Sequence, residues 1–308
     1  MIRLVVKNLL LFVSLQAYAA SYNYLPNSKN IVGEIRSIQA EKNDTMASIA
    51  RKYDVGLDEL MLVNHNINPY MILPGTVIIL PTQFILPNSV RKGIVVNLPE
   101  KRLYFFQKNK VLSFPIGIGK VGWATPVGKM RVISRVKNPT WRIPESVWQE
   151  QYKIGNVLPK FIPPGPDNPL GKYALRLSKS NYLIHGTNAP QGVGQRVSAG
   201  CLRMYPRDIE QLYSITPKNV SVNIINQPLK FAIYKNELLL ESHPPLNEAI
   251  DDKNIADGID TTIPKTLAEA VQYTFDKIES LNMEPILARD IHSIVNESLG
   301  IPSKIAEK

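Results

Sequence analysis

The sequence predicts a mainly β central domain with short helices, preceded by a small βααβ unit and followed by a β-hairpin and a helical region. Three observations carry this. Residues 90–226 break into Val-, Ile- and Phe-rich runs of strand length separated by Gly, Pro and Asn. Residues 34–82 read as a β run, two segments of helical spacing and a second β run closed by Leu80-Pro81. Beyond them, apolar runs at Lys230–Tyr234 and Glu237–Glu241 flank a Lys235-Asn236 turn, and residues 266–299 have helical spacing interrupted at Pro285. The boundaries expected are 1–20, 34–82, 90–226 and 227–308.

The first segment is an export signal. Arg3 and Lys7 supply positive charge, Leu9 to Leu15 a short apolar run, and Ala17-Tyr18-Ala19 a small-x-small cleavage site. It is too short for a stop-transfer helix, and no cysteine near the cut marks a lipoprotein. A periplasmic location follows as the expectation. Residues 21–33 are polar and read as a loose leader.

In the βααβ unit, Ile35–Gln39 reads as the first strand. Asn43, Asp44 and Thr45 offer N-cap side chains for a helix to about Tyr53, with Met46, Ile49 and Ala50 on its apolar face. Leu57–Asn64 reads as a second helix, Leu60 and either Leu62 or Val63 turned inward. Pro74-Gly75 turns the chain into Thr76–Leu80. In the central domain the strand-length runs include 93–98, 102–106, 111–118 and 129–134. The stretch Asp251–Asp260 is acidic and reads as a loop.

Composition bounds the function. The chain has 308 residues, 44% hydrophobic and 20% charged, with a net charge of +10 and one cysteine, Cys201. It can bury real cores, and no apolar run reaches the ~18 residues needed to span a bilayer. One cysteine excludes an intramolecular disulfide framework and Cys-cluster metal sites. His65, His243 and His292 are scattered without ligand spacing, so neither a metal nor any other cofactor is expected. Residues 21–226 hold 26 basic and 12 acidic residues, whereas 227–308 hold 8 and 14. The basic portion suits a polyanion. Export and the lack of any recognition-helix or RNA-binding motif argue against nucleic acid, so none is expected as a partner.

The chemistry concentrates in 181–205. His185 closes a short apolar strand and precedes Gly186. A glycine-containing loop then returns to Ser198-Ala199-Gly200-Cys201, with Arg203 two residues on. Cysteine and histidine at this spacing can meet on adjacent strand ends. An imidazole can take the proton from a thiol that is otherwise a few per cent thiolate at neutral pH. Gly200 allows a strained turn whose N–H groups can face an oxyanion.

Two resemblances follow from these residues. Asn43-Asp44-Thr45, Ile49-Ala50-Arg51-Lys52-Tyr53, Leu60, Asn64, Leu73-Pro74-Gly75 and Ile79-Leu80-Pro81 resemble a LysM domain over about 50 residues. The resemblance implies binding to N-acetylglucosamine-containing glycan through Asp44, Thr45 and Met46 and through the segment from Tyr70 to Leu73. Asn43 departs from that family's glycine, which puts the shape of the first loop in question.

The segment from His185-Gly186 to Ser198-Ala199-Gly200-Cys201 and Arg203 resembles the YkuD-type L,D-transpeptidase domain, in its periplasmic ErfK-like branch. Phe114-Pro-Ile-Gly-Ile-Gly119, Gly122-Trp-Ala-Thr-Pro-Val-Gly128, Asn138-Pro-Thr-Trp141 and Pro164 to Gly171 extend the likeness. The family fold is a β-sandwich or barrel with short helices. The resemblance implies that Cys201 attacks the carbonyl on the L-centre of meso-diaminopimelate in a peptidoglycan tetrapeptide and expels D-alanine. His185 would move the protons, and the Gly186 carbonyl would orient it. Gly200 and Cys201 N–H groups would bind the oxyanion, Ser198 would support the loop, and Arg203 would hold a substrate carboxylate. Ala199 replaces the family's histidine, leaving in doubt any tuning by a second imidazole. The partners implied are peptidoglycan and, as amine acceptor, a second stem or an envelope lipoprotein or outer-membrane protein. A hydrolase of the same fold and a non-catalytic wall-binding scaffold stay open as alternatives.

Overall fold

The computed structural model describes residues 20–23, 30–246, 264 and 266–308. Apart from Ala20, the expected export segment lies outside the described residues, as does the acidic loop at Asp251–Asp260.

The chain begins with β1 (Ala20–Asn23), β2 (Ile31–Gly33), β3 (Arg36–Gln39), α1 (Met46–Tyr53), α2 (Leu57–Val63), β4 (Val77–Leu80) and β5 (Gln83–Ile85). β3 and β4 pair antiparallel, Arg36 opposite Leu80. Thr45 caps α1. Its hydroxyl accepts from the Ser48 N–H at 3.1 Å, and Ser48 Oγ accepts from the Thr45 N–H at 2.9 Å. Asn43 has φ of 71°, the left-handed region that asparagine tolerates best after glycine. Met46, Ile49, Ala50, Leu60, Ile78 and Leu80 form the core of this unit.

Two expectations are corrected here. Leu62 and Val63 stay partly exposed, while Leu57 and Met61 pack against the core, because α2 turns Glu59 inward towards the next unit. The described parts of 21–33 are not a loose leader: β2 pairs with β5, and β1 is a strand of the central sheet.

The central domain comprises β6 (Gly93–Asn97), β7 (Arg102–Phe106), β8 (Lys110–Pro115), β9 (Ile118–Gly119), β10 (Gly128–Lys137), β11 (Trp141–Arg142), α3 (Glu145–Lys153), β12 (Phe161–Ile162), β13 (Tyr173–Leu177) and β14 (Leu183–His185). A 3₁₀ turn at Pro190–Gly192, β15 (Arg196–Ser198), β16 (Leu202–Arg203), α4 (Pro206–Ile215) and β17 (Ser221–Ile225) complete it. The domain is mainly β, as the sequence predicts. Its sheet has nine strands in the order β1-β8-β7-β6-β17-β10-β13-β14-β16. The β6–β17 and β14–β16 pairs are parallel. One face carries the main core, including Ile94, Leu103, Phe114, Val132, Leu175, Ile184 and Leu202. Val95, Tyr104, Phe106 and Val111 on the other face pack against Val32, Phe84 and Leu86. Burial on both faces explains why β7 reads as a continuous apolar run.

The hairpin of β18 (Leu229–Tyr234) and β19 (Glu237–Ser242) turns at Lys235 and Asn236, both with positive φ (49° and 66°). The sequence reading left it extending or packing on the central sheet. It does not extend that sheet: it builds a separate four-stranded sheet with β20 (Glu284–Pro285) and β21 (Ser303–Glu307), while Lys230 of β18 reaches over the Tyr104 ring of β7. On it pack α5 (Leu267–Ser280) and α6 (Ala288–Glu297), through Val271, Ile278, Ile291 and Val295.

Buried charges join the three units. Arg102, 1% exposed, reaches Glu59 of α2 at 2.6 Å and Ser113 at 3.0 Å. Lys230 of the C-terminal unit lies 2.9 Å from Glu100 and 2.6 Å from Glu241. His243 is not isolated, as its sequence position suggested. It lies 2.7 Å from Glu241, and its ring nitrogen and the Glu100 and Glu241 carboxylates fall within 4.8 Å of one another. The Lys230 ammonium already supplies the cation those carboxylates need. Desolvation alone would make such a cluster costly, so every pairing in it matters.

Candidate active site

β14 and β16 run parallel, with Ile184 opposite Leu202 and His185 opposite Arg203. Ile184 and Leu202 point into the main core. By the period-two alternation, His185 and Arg203 lie on the other face, and Cys201 immediately precedes β16, two residues before Arg203.

His185 is buried, and its Nδ1 lies 2.6 Å from the Gly186 carbonyl oxygen. A carbonyl only accepts, so Nδ1 carries the hydrogen and Nε2 keeps a free lone pair. Burial pulls the imidazole pKa down to about 4, Arg203 adds to the shift, and the Gly186 carbonyl opposes it. The ring is therefore neutral over the physiological range.

The Gly186 carbonyl is itself braced from outside. Asn168, fully buried, donates through Nδ2 to the carbonyls of Pro139, Ile162 and Pro163 at 2.8–3.2 Å and accepts from the Leu170 N–H at 2.9 Å. This clamp leads into Gly171, with φ of 66°. A Cβ there would stand 2.8 Å from the Thr187 nitrogen, so the turn packs directly on 186–187.

Cys201 is half-buried and its thiol donates to the Asn181 carbonyl at 3.6 Å. Burial raises its pKa. The Leu183 N–H and the Arg203 charge oppose that rise without cancelling it. The resting pair is thus a neutral thiol and a neutral imidazole, with the thiol bonded to a main-chain oxygen rather than to the ring.

The turn before the cysteine is tightly built. Gly200 has φ of 97°, and a Cβ on it would lie 2.9 Å from the Tyr182 ring. Ser198 Oγ donates to the Cys201 carbonyl at 2.6 Å and accepts the Gly200 N–H at 3.2 Å. That second bond alters the expected oxyanion site: the Gly200 donor is taken, leaving the Cys201 N–H of the two expected. Ala199 needs no side-chain partner in this arrangement.

Arg203 makes no salt bridge among the described residues, and its Nε is buried without a hydrogen-bond partner. Its strand is held through reciprocal main-chain bonds to Gly117 at 2.7 and 2.9 Å. An unpaired guanidinium facing a thiol suits a carboxylate, which it can bind with two N–H groups.

The sequence reading did not single out Thr125, Asn181, Tyr182 or Asn168. Thr125 Oγ1 donates to the Gly200 carbonyl and accepts the Gly119 N–H, both at 2.9 Å, so it ties the cysteine turn to β9. Thr125 and Asn168 lie inside the Gly- and Pro-rich segments that carried the family likeness, which was the available signal.

In the N-terminal unit the expected glycan contacts divide. Tyr70 and Leu73 are 86% and 72% exposed and available to a ligand. Asp44 and Thr45 are engaged in the turn and cap: Asp44 Oδ2 accepts the Glu41 N–H at 2.8 Å. The Met46 side chain is buried in the core with Ile49 and Leu60, which leaves its main chain for the expected loop contact. The main-chain bond from the Met46 N–H to the Pro69 carbonyl, 3.0 Å, brings the two expected segments side by side.

Comparison with known proteins adds five findings. A family model described as an L,D-transpeptidase catalytic domain, YkuD, matches residues 91–224, and one described as a LysM domain matches 39–81. The probable L,D-transpeptidase YcfS of Escherichia coli K12 is 39% identical over 270 residues, covering 84% of this chain and 82% of its own. The probable L,D-transpeptidase ErfK/SrfK of Salmonella typhimurium is 35% identical over 302 residues, covering 95% and 96%. The probable L,D-transpeptidase YbiS of Escherichia coli K12 is 37% identical over 237 residues, covering 75% and 77%.

Proposed function

This chain belongs to the YkuD-type L,D-transpeptidase family and carries a LysM domain, and from that premise we propose that it acts on peptidoglycan tetrapeptide stems through a thioester on Cys201. His185 Nε2 takes the thiol proton as Sγ attacks the carbonyl on the L-centre of meso-diaminopimelate. The oxyanion forms against the Cys201 N–H. The bond to terminal D-alanine then breaks, and His185 returns its proton to the leaving amine. An acceptor amine attacks the thioester, His185 takes the amine's proton, and the C–S bond breaks to restore the thiol. Arg203 holds a substrate carboxylate, Ser198 keeps the turn closed, and the Gly186 carbonyl fixes the imidazole tautomer.

The observation that carries this reading is the orientation of His185: Nδ1 engaged by Gly186, Nε2 free, on the strand paired with the one that Cys201 leads into, opposite an unpaired Arg203. The acceptor is a second stem, giving a 3→3 crosslink, or an amine of an envelope protein. Tyr70 and Leu73, with main-chain groups at Asp44–Met46, hold the glycan. The site of action is the periplasm, reached through the signal at 1–20. The boundaries 34–82, 90–226 and 227–308 separate wall binding, catalysis and a C-terminal extension.

The test is incubation of residues 21–308 with disaccharide tetrapeptide, followed by mass. Loss of D-alanine with a dimer or amine adduct is expected. Free products alone would favour hydrolysis, and full activity in Cys201→Ala would overturn the mechanism.

A further inference from the structure

The segment joining His185 to Cys201 has little secondary structure of its own: a three-residue 3₁₀ turn and the three-residue β15. One side of it rests on β9, through Ile118 and Gly119. Its other side rests on the corner between α1 and α2 of the LysM unit. Gly56 and Gly194 meet there backbone to backbone. A Cβ on Gly194 would stand 2.4 Å from Gly56 Cα, and one on Gly56 would stand 3.2 Å from Gly194 Cα. The Leu57 N–H donates to the Val193 carbonyl at 3.3 Å, Gln195 Nε2 donates to Asp58 Oδ1 at 3.2 Å, and Tyr205 Oη donates to the Val55 carbonyl at 3.2 Å.

We propose that the corner Asp54–Glu59 is a positioning element of the active site, holding the His185–Cys201 connection in its working shape, so that the LysM unit serves catalysis as well as wall binding.

Three features carry this. First, the contact falls on that connection rather than on the outside of the sheet. Val193, at the contact, is fully buried, although it lies in a loop. Second, the loop passes its position on to Arg203: a Cβ on Gly192 would lie 3.0 Å from Arg203 Nη1, so Gly192 forms the floor beneath the guanidinium. Arg203 in turn acts electrostatically on both Cys201 and His185. Third, the corner is pinned independently. Glu59 Oε2 accepts the Gly56 N–H at 3.1 Å and Arg102 Nη2 at 2.6 Å. Asp58 bridges to Lys101 at 3.1 Å, and the buried Asp54 and Asp208 carboxyls lie close enough across the seam to influence each other's protonation. A corner held this firmly can act as a template for a loop that has no ladder of its own there. Displacing a reacting group by about 1 Å costs up to a hundredfold in rate.

The proposal rests on the reaction proposed above but is tested partly without it. Gly56 has φ of −72° and ψ of 142°, which any residue adopts, so Gly56→Ala and Gly56→Val wedge the seam without backbone strain. In the full chain, hydrogen exchange over 186–198 and the iodoacetamide alkylation rate of Cys201 are measured with each variant, together with kcat and KM on soluble tetrapeptide. Expected are faster exchange, an altered alkylation rate, and kcat falling roughly tenfold or more from wild type to Val with KM within about twofold. Asp58→Ala should show a weaker version, and Asp58→Asn, which keeps an acceptor for Gln195, should restore it. Exchange and alkylation unchanged in Gly56→Val would overturn the proposal. If that variant does not fold, Gly56→Ala and the Asp58 pair decide by the same criteria. A wild-type chain that never consumes tetrapeptide would refute the reaction while leaving the exchange and alkylation comparison to judge the positioning role.

Discussion

A neutral Cys201–His185 pair has a sharp consequence for pH. A thiol at its ordinary pKa is a few per cent thiolate at pH 7, and burial pushes the Cys201 pKa above the ordinary range. An imidazole at about 4 is roughly 0.1% protonated at pH 7. The thiolate–imidazolium form is therefore a minor species of the resting site. The rate of Cys201 alkylation should rise about tenfold per pH unit from 5.5 to 8.5, roughly a thousandfold in all. Cys201 is the sole cysteine, so intact-mass analysis of iodoacetamide adducts reads the site without ambiguity. His185→Ala should leave that profile nearly unchanged while lowering turnover by 10²–10⁴. Turnover of the wild-type enzyme should persist to pH 5 and be halved only near pH 4, where the base becomes protonated. A plateau of alkylation between pH 5 and 7 that disappears in His185→Ala would refute the argument, because only a preformed ion pair produces one.

Other consequences are equally direct. Arg102→Ala leaves Glu59 buried without its partner and removes the guanidinium 4.0 Å from the Phe84 ring, so it should cost about 3–5 kcal/mol in urea unfolding; a loss below about 1 kcal/mol would contradict the seam energetics. Burial lowers the His243 pKa to about 3. Unfolded histidine takes a proton below about 6.5 and the folded one does not, so its contribution is complete above 6.5 and lost as pH falls. Wild type should therefore lose about 2 kcal/mol relative to His243→Gln between pH 7 and 5, a difference in which the opposing effects of buried carboxylates cancel. Gly200→Ala places a Cβ 2.9 Å from the Tyr182 ring at φ of 97°, and should lower kcat on tetrapeptide at least tenfold; wild-type kcat would show that the turn tolerates rearrangement.

The sequence by itself determined the fold class and the family. Strand-length runs, the caps at Thr45, the Lys235-Asn236 turn and the His185/Cys201 spacing are local signals, set by backbone sterics and by period-two or 3.6-residue burial. They lie within a few residues of the features they specify. Family likeness reached further, because its glycines and prolines mark the turns that fold against His185 and Cys201. The tertiary structure decided what depends on partners distant in the chain. Glu59 reads as a helix-surface acid until Arg102 is seen beside it. That the Met46 side chain serves the core, leaving only its main chain to the loop, is seen only once the helices pack. Gly200 reads as an oxyanion donor until Ser198 takes its N–H. Whether His185 and Cys201 rest as ions or as neutral groups is settled by desolvation, which sums over every neighbouring element at once and has no signature in residue order.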